Sequence, residues 1–438
     1  MTTAAASKSD TGISDTDNLD IEPFPTHIEQ SDPTRLAPSK SSDGKKPQTL
    51  TSGHDSNGSQ SWYQYRPTVM SPSLFAYCVG GCLAWDDPSY VERSTDKILI
   101  ACLKKQQFAY VLGPRQIGKS SLRVHVRHKM DQQGYRCVTV QATQLSASKS
   151  NASESNWCSS LMATICTDLQ ANELALLLSW LPSTADLPPV ERLSRFVEEF
   201  LAEVLSIAPV VIFIDEIEAL TNAAFETELF QWIAKCYELR QTHTLYRNLN
   251  FVVLGSAIAA DLPQPGSLFS AGCEISLPPF QQSEAYALSP GLQNKAHWPT
   301  VSLDAIEQWT YGHPFLTQKL CHLMSQLLET LVHPAAMPMV LSTAGATQWV
   351  DKTVRSHIIE DWQTKDDPVH LRAISDRINH SFNRTALLNL YKKVLSKSRV
   401  NTDNSNIQAA LILSGLVIVE NDQLKVANKI YQQVFTLK

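Results

Sequence analysis

The amino-acid sequence predicts an α/β fold: a five-stranded parallel sheet with helices on both faces, then a smaller helical domain, then helices closed by a β-hairpin. Three observations carry this. Between Phe108 and about Phe280, short runs rich in β-branched residues alternate with longer segments of helical period, the pattern of parallel strands buried on both faces and joined by crossover helices. After Phe280 such runs cease, while segments such as Leu303 to Trp309 and Phe315 to Leu331 keep helical spacing. Near the end, Leu416-Val-Ile-Val-Glu and Gln423-Leu-Lys-Val flank Asn421-Asp422, two short strands around a polar turn.

Taken in chain order, residues 1–67 are mostly Ser, Thr, Asp, Gly, Pro, Gln and Lys. That composition cannot offset the entropy of ordering, so a disordered tail is expected. Regular apolar spacing begins after Ser71 to Gly81, and the core is expected over 68–282. Its five strands are predicted at Phe108 to Leu112, Cys137 to Val140, Val210 to Ile214, Phe251 to Leu254 and Glu274 to Leu277. From Val190 to Ile207, the residues Leu193, Phe196, Val197, Phe200, Leu201, Val204 and Leu205 fall at helical spacing, which predicts one crossover helix. A helical lid is expected over 283–347. A C-terminal domain follows over 348–438, with helices at Val354 to Trp362, His370 to Asn379 and Ala386 to Ser396 ahead of the hairpin, an arrangement that suggests a winged helix. No internal repeat of roughly 20 to 50 residues appears, which argues against a solenoid or propeller.

The 438 residues exceed one ordinary domain. Charged residues make up 18% and apolar residues 43%, enough to bury a sizeable interior, and the net charge of -6 provides no global field for nucleic acid or anionic lipid. The nine cysteines form no CxxC pair. They read as buried free thiols in a reducing, cytoplasmic compartment rather than a disulfide framework or thiolate metal site. No apolar run approaches the roughly 18 residues of a membrane span, and the polar start does not read as a signal peptide. The 12 histidines show no HExxH spacing and no G-x-S-x-G elbow is present. Cys158, Cys321 and the adjacent His322 are read as structural.

The strongest motif is Gly113-Pro114-Arg115-Gln116-Ile117-Gly118-Lys119-Ser120, which matches G-x-x-x-x-G-K-[ST] at every fixed position. An apolar strand runs into it, and Ser121 onward continues as a helix. The glycines allow backbone N–H groups to turn toward a phosphate while the helix N-terminus adds positive potential. Lys119 is expected on the β and γ phosphates of ATP or ADP, and the Ser120 hydroxyl on Mg²⁺, which prefers oxygen ligands. About 100 residues on, Val210-Val-Ile-Phe-Ile-Asp215-Glu216 is an apolar strand ending in two acids. Alone it is equally a strand reaching solvent. After a complete phosphate loop, Asp215 is expected to hold Mg²⁺ through water and Glu216 to polarise the attacking water. The strand Cys137 to Val140 between the two motifs marks the additional-strand class of P-loop NTPases and favours ATP over GTP. Ser256, after the fourth strand, is either a γ-phosphate sensor or a small residue permitting close packing. Arg240 and Arg247 are either solvated arginines or fingers reaching a neighbouring subunit.

These residues, in their order, resemble the STAND-type AAA-like ATPases. The likeness starts at Val79-Gly-Gly81 and Pro88–Arg93, and passes through Arg115–Arg123, Phe213–Glu216 and Phe251–Gly255. It continues through Trp309–Cys321, Asp367–Leu371 and Leu413–Leu416. The resemblance implies an adenine site lined around Tyr90, Val91 and Arg93, and a lid motif at Gly312-His-Pro314 whose Pro314 packs near the base; by composition alone, Gly312 and Pro314 are equally a helix boundary. It also implies a nucleotide-controlled switch, closed with ADP and opened or assembled with ATP, with a homo-oligomer and a separate effector protein as partners. Relatives often carry repeats or catalytic domains after the winged helix, and the present sequence stops at Lys438. A DNA-associated ATPase, using the winged helix and the basic cluster Arg384, Lys392, Lys393, Lys397 and Arg399, is the alternative, as is a nucleotide-binding scaffold without turnover. That cluster is also read as a solvated face.

Overall fold

Strands β1 (Ala109–Leu112), β2 (Arg136–Gln141), β3 (Val210–Asp215), β4 (Leu249–Gly255) and β5 (Cys273–Glu274) form one parallel sheet in the order β2-β3-β4-β1-β5. The computed structural model describes residues 75–436 apart from 147–155, 170–173, 222, 224, 265, 294–298, 331–341, 397, 398 and 404. The polar segment 1–67, Lys397 of the basic cluster and part of the expected lid boundary therefore lie outside the described residues.

Every residue of β3 and of β4 is buried, as expected of central strands covered on both faces. Alternate side chains feed two apolar layers. Val211, Phe213, Val252 and Leu254 pack with Leu99 and Leu103 of α1 (Ser94–Lys104) and with Leu122, Val126 and Met130 of α2 (Lys119–Asp131). On the opposite face, beyond the short α3 (Ala142–Ser146), lie α4 (Asn156–Asp168), α5 (Leu174–Trp180), α6 (Pro189–Phe200), α7 (Ala202–Ile207) and α8 (Glu226–Leu239). There Trp157, Leu161, Leu193, Phe196, Phe230 and Ile233 meet Val210, Ile212, Ile214, Phe251 and Val253.

Several expectations change in detail. The strand between β1 and β3 in space is β4, whereas β2 sits at the sheet edge; proximity in sequence pointed to the wrong strand. The predicted crossover helix is divided at Leu201 into α6 and α7, although its apolar stripe still enters the core. β5 spans two residues rather than Glu274 to Leu277. Ile275 and Leu277 remain buried, but Pro278-Pro279 follow and offer no N–H groups for further pairing. Cys102 of α1 and Cys273 of β5 are disulfide-bonded, which corrects the expectation of free thiols throughout; the other seven cysteines form no disulfide.

The following helices are α9 (Gln282–Ala285), α10 (Pro290–Gln293), α11 (Pro299–Thr310), α12 (Pro314–Thr330) and α13 (Thr343–Val354). The helix expected from Val354 to Trp362 is not continuous. A π-type turn covers Arg355–Ile359, Asp361 takes a left-handed conformation with φ 51°, and α14 begins at Trp362 and ends at Lys365. Then come α15 (Leu371–Asn379), α16 (Arg384–Leu395), α17 (Asn406–Ser414), the antiparallel pair β6 (Val417–Glu420) and β7 (Gln423–Val426), and α18 (Lys429–Val434). Asn421 and Asp422 both have positive φ, the requirement of a tight two-residue hairpin. Among the described residues, no helix is long and apolar enough to cross a membrane.

Candidate functional site

β1, β3 and β4 are parallel, so their following loops converge at one edge of the sheet. β1 and β4 end level, Leu112 opposite Gly255, and Gly113 N–H donates to Gly255 O at 3.1 Å. The loop then turns through Gln116 (φ 61°) and Gly118 (φ 93°) into α2. The first N–H groups of α2 have no intrahelical acceptor and, with the helix dipole, favour an anion there.

Lys119 lies folded along this loop. Its ammonium donates to Gly113 O at 2.9 Å, Pro114 O at 2.6 Å and Ser256 Oγ at 3.2 Å. Burial pulls its pKa down to about 8 despite the opposing pull of Glu218 and Asp215. Asp215 ends β3 with both carboxylate oxygens engaged: Oδ1 accepts from Glu216 N–H at 2.9 Å, and Oδ2 from Arg123 Nε at 3.0 Å. Glu216 is itself left-handed (φ 61°), and its Oε2 accepts from the Thr143 hydroxyl at 3.2 Å. Glu218 Oε2 accepts from Ser256 N–H at 2.7 Å. A Cβ at Gly255 would lie 2.5 Å from Ile217 Cγ2 and 2.6 Å from Glu218 Oε2, so only glycine allows the end of β4 to pass this turn.

These groups line a cavity of about 660 Å³ that includes Arg115, Gln116, Gly118, Lys119, Ser120, Ser121, Asp215, Glu216 and Ser256, a volume suited to a small-molecule ligand. The free helix N-terminus, Lys119 and exposed Arg115 fit a phosphate chain. For Mg²⁺, the donor set is all oxygen: the Ser120 hydroxyl with the nearby carboxylates. Among the described residues no cluster of three or more His, Cys, Asp or Glu could hold a metal by itself.

Arg93 and Pro314 meet in an adjoining cleft of about 70 Å³, together with Tyr90, Val91, Gly118, Ser121, Phe280 and Gln318. Arg93 is buried, donates to Ile117 O at 3.1 Å and Pro278 O at 3.2 Å, and stacks over Phe280 at 5.4 Å. It thus braces the phosphate loop as well as lining the cleft. Gly312 has φ 73°, and a Cβ there would sit 2.1 Å from Phe280 O. This close approach docks the turn before α12 against the segment that follows β5.

Arg240 and Arg247 are not brought to the cavity. They precede β4, at the opposite edge of the sheet. Arg240 donates to the carbonyls of Gln106, Tyr246 and Leu249 and stacks on Tyr237 at 3.8 Å. These contacts hold its guanidinium within its own core. Arg247 is exposed and donates to Arg240 O at 2.9 Å.

Sequence reasoning missed four participants. Glu218 belongs to the same acidic run as Asp215 and Glu216. Arg123 lies one helical turn after Lys119, a spacing that could have drawn attention to it. Thr143 carries no local signal. The fourth is a group of C-terminal residues seated on the outer side of the loop, from segments that carry the family resemblance but were not expected at the site: Gln116 Nε2 donates to Val369 O at 3.1 Å, and its side-chain oxygen accepts from His370 Nδ1. His370 Nε2 accepts from the Tyr431 hydroxyl at 2.6 Å, and burial holds its pKa well below the ordinary value. Arg115, Arg377, His313 and Gly415 share a cavity of about 240 Å³ at this junction.

A phosphate loop and an acidic strand end, converging on one edge of a five-stranded parallel sheet, define a P-loop nucleotide-binding core. A family model described as "AAA-like domain" matches residues 79–339; the chain belongs to that family. It is 34% identical over 363 residues to an uncharacterised WD repeat-containing protein of Synechocystis, an alignment covering 82% of this chain and 30% of the relative. The chain thus spans less than a third of that protein's length. Among solved structures, a Walker-type ATPase of Pyrococcus abyssi aligns with a TM-score of 0.46 at 15% identity, covering 79% of this chain and 95% of the other. The ORC2 protein of Aeropyrum pernix aligns at 0.42 and 12% identity, covering 78% and 91%.

Proposed function

We propose that the chain is a STAND-type nucleotide switch that binds ATP and ADP with Mg²⁺ and hydrolyses ATP slowly. The observation that carries this reading is the double contact on one loop. The inner side of Gly113–Ser120 faces Lys119, Glu216 and Ser256, while its outer side, through Gln116, is held by Val369 and His370 of the C-terminal unit. A change in loop contents then bears directly on the seating of residues more than 250 positions away. Gly113, Pro114, Arg115, Gln116, Ile117, Gly118 and Ser121 would cradle the phosphates, with Arg93 and Pro314 toward the base. Lys119 would leave the loop carbonyls for the β and γ phosphates, and Ser120, with Asp215 behind a water, would hold the ion. Glu216, steadied by Thr143, would take the proton of an in-line water, and Ser256 would report the γ-phosphate. Mg²⁺, when bound, would offset the negative charge of the phosphates. The tail (1–67), core (68–282), lid (283–347) and winged-helix-like domain (348–438) are the proposed divisions, and homo-oligomerisation or a separate effector the proposed output, in the cytoplasm.

The test is mass-resolved light scattering of the Glu216→Gln protein with ADP and with ATP. A larger species with ATP supports the switch. Tight binding of both nucleotides with identical particle size removes it, and phosphate release by the unmodified protein equal to that of Lys119→Ala favours a scaffold.

One observation favours a DNA-associated reading. Phe382 is wholly exposed at the turn between α15 and α16, next to Arg384 and on the same unit as exposed Lys392, Lys393 and Arg399. A salt-dependent gel shift abolished by charge reversal of Lys392 and Lys393 would establish that reading.

A further inference from the structure

We propose that Arg123 is a built-in counter-cation that competes with Mg²⁺ for Asp215, so that the diphosphate nucleotide is held without metal. The inference rests on reading the 660 Å³ cavity as a nucleotide site.

The strand end that should offer a carboxylate to the ion offers one already matched in charge. Arg123 and Asp215 are 8% and 2% exposed, and the ion pair between them is 3.0 Å long. Asp215 Oδ1 also accepts from the Glu216 N–H, so both oxygens are engaged and each keeps at most one lone pair for a metal-bound water. Solvent screens a pair this deep only weakly, and guanidinium carries its charge at every physiological pH.

The arginine is also fixed from behind. Its NH1 donates to Thr139 Oγ1 at 3.1 Å, and the same hydroxyl accepts from Arg127 NH1 at 2.9 Å. Arg127 in turn forms a two-bonded pair with Asp168, at 3.0 and 2.8 Å, and Asp168 also accepts from Thr139 N–H at 2.7 Å. The chain Asp215–Arg123–Thr139–Arg127–Asp168 ties the end of β3 to α2, β2 and α4. Arg123 therefore cannot swing aside without breaking fixed bonds.

A cation drawn to the Ser120 hydroxyl meets an Asp215 whose negative charge is already balanced. Without it the phosphates still face Lys119 and the N-terminus of α2, while Arg123 keeps Asp215 from adding an unbalanced negative charge. The diphosphate thus needs little from the metal, and only the added charge of a γ-phosphate makes the metal's contribution large. Arg123 is a positioning residue in this scheme, setting which nucleotide state recruits Mg²⁺ rather than reacting itself.

The test is equilibrium binding of fluorescently tagged ADP to the full chain in EDTA and across a Mg²⁺ titration, for the unmodified protein, Arg123→Met and Arg123→Lys. In the unmodified protein, ADP affinity should change by no more than about threefold between EDTA and saturating Mg²⁺. Arg123→Met frees Asp215 and should lower the half-saturating Mg²⁺ concentration by roughly tenfold, with Arg123→Lys close to the unmodified protein. A merely structural role would not move this requirement. An EDTA-induced loss of ADP affinity exceeding tenfold in the unmodified protein, or an identical Mg²⁺ requirement in Arg123→Met, overturns the proposal while leaving the nucleotide site intact. If Arg123→Met does not fold, the EDTA comparison on the unmodified protein decides alone. Failure to bind either nucleotide under any condition overturns the proposal and the functional reading together.

Discussion

The two sides of the phosphate loop are built from opposite materials. The inner wall is charged and local to the core: Lys119, Asp215, Glu216 and Glu218 sit at the ends of neighbouring parallel strands, each held by a named hydrogen bond. The outer wall is distant in sequence and its direct contacts to the loop are uncharged: Gln116 meets His370, which Tyr431 backs, and Gly415 approaches Pro114 closely enough that a Cβ there would lie 3.4 Å from it. Charged groups at strand ends cannot be withdrawn without disturbing the sheet. A neutral contact between two packed units can be broken and remade at modest cost. Under the proposed switch, this contrast gives ligand binding to one wall and its readout to the other.

The largest effect expected is at the inner wall. Lys119→Ala should weaken nucleotide binding by roughly 100-fold in equilibrium titration, since it removes a charge-assisted contact to phosphate. Retention of affinity within a few-fold would deny the inner wall its part.

Histidine protonation tests the outer wall. His313 is held down to about 4 from its ordinary 6.5 by burial, and His370 is lowered by burial together with His313 and Lys319. The unfolded chain takes up protons near pH 6.5 while the folded chain does not. The stability from these neutral rings is therefore complete above about pH 6.5 and is lost as pH falls toward 4, by roughly 3 kcal/mol for a shift of this size. Urea unfolding at neutral and acidic pH should show that slope, and it should flatten in His313→Asn. An equal slope in both proteins would mean that the outer wall does not carry it.

Gly255→Ala comes next. The added methyl would enter the space of Ile217 and Glu218 and should cost about 2 kcal/mol in chemical denaturation, as overpacking does. The smallest effect belongs to Gln116→Ala. Loss of its neutral outer contacts should lower stability by about 1 kcal/mol and speed nucleotide exchange in stopped-flow, with equilibrium affinity changed less than threefold. A larger loss of affinity than from Lys119→Ala would reverse the comparison.

The inner wall was largely legible in the sequence because its signals are local. Gly118-Lys119-Ser120 and Asp215-Glu216 are contiguous motifs, and β-branched runs mark the strands that present them. Arg123 was hidden in plain view on the first turns of α2, because a motif names the residues it contains and not the neighbour that neutralises one of them. The outer wall was legible only as segments of the family resemblance, Asp367–Leu371 and Leu413–Leu416, and not as a site, since the partner of Gln116 lies 254 positions away. Apolar periodicity misread Val354 to Trp362, where a left-handed Asp361 interrupts an otherwise helical pattern, and it overextended β5, whose pairing ends before two prolines.

Arg240, read from the sequence as either a solvated arginine or a finger toward a neighbour, has a different consequence in its place. Its guanidinium binds the carbonyl of Gln106, just before β1, and that of Leu249, the first residue of β4, and so fixes a common starting line for two strands. From that line β4 extends about 20 Å to the opposite edge, where Gly255 and Leu112 finish side by side. The spacing between Lys119 and Ser256 is gauged from the far end of the sheet. A single residue inserted within either strand would therefore shift one half of the site past the other.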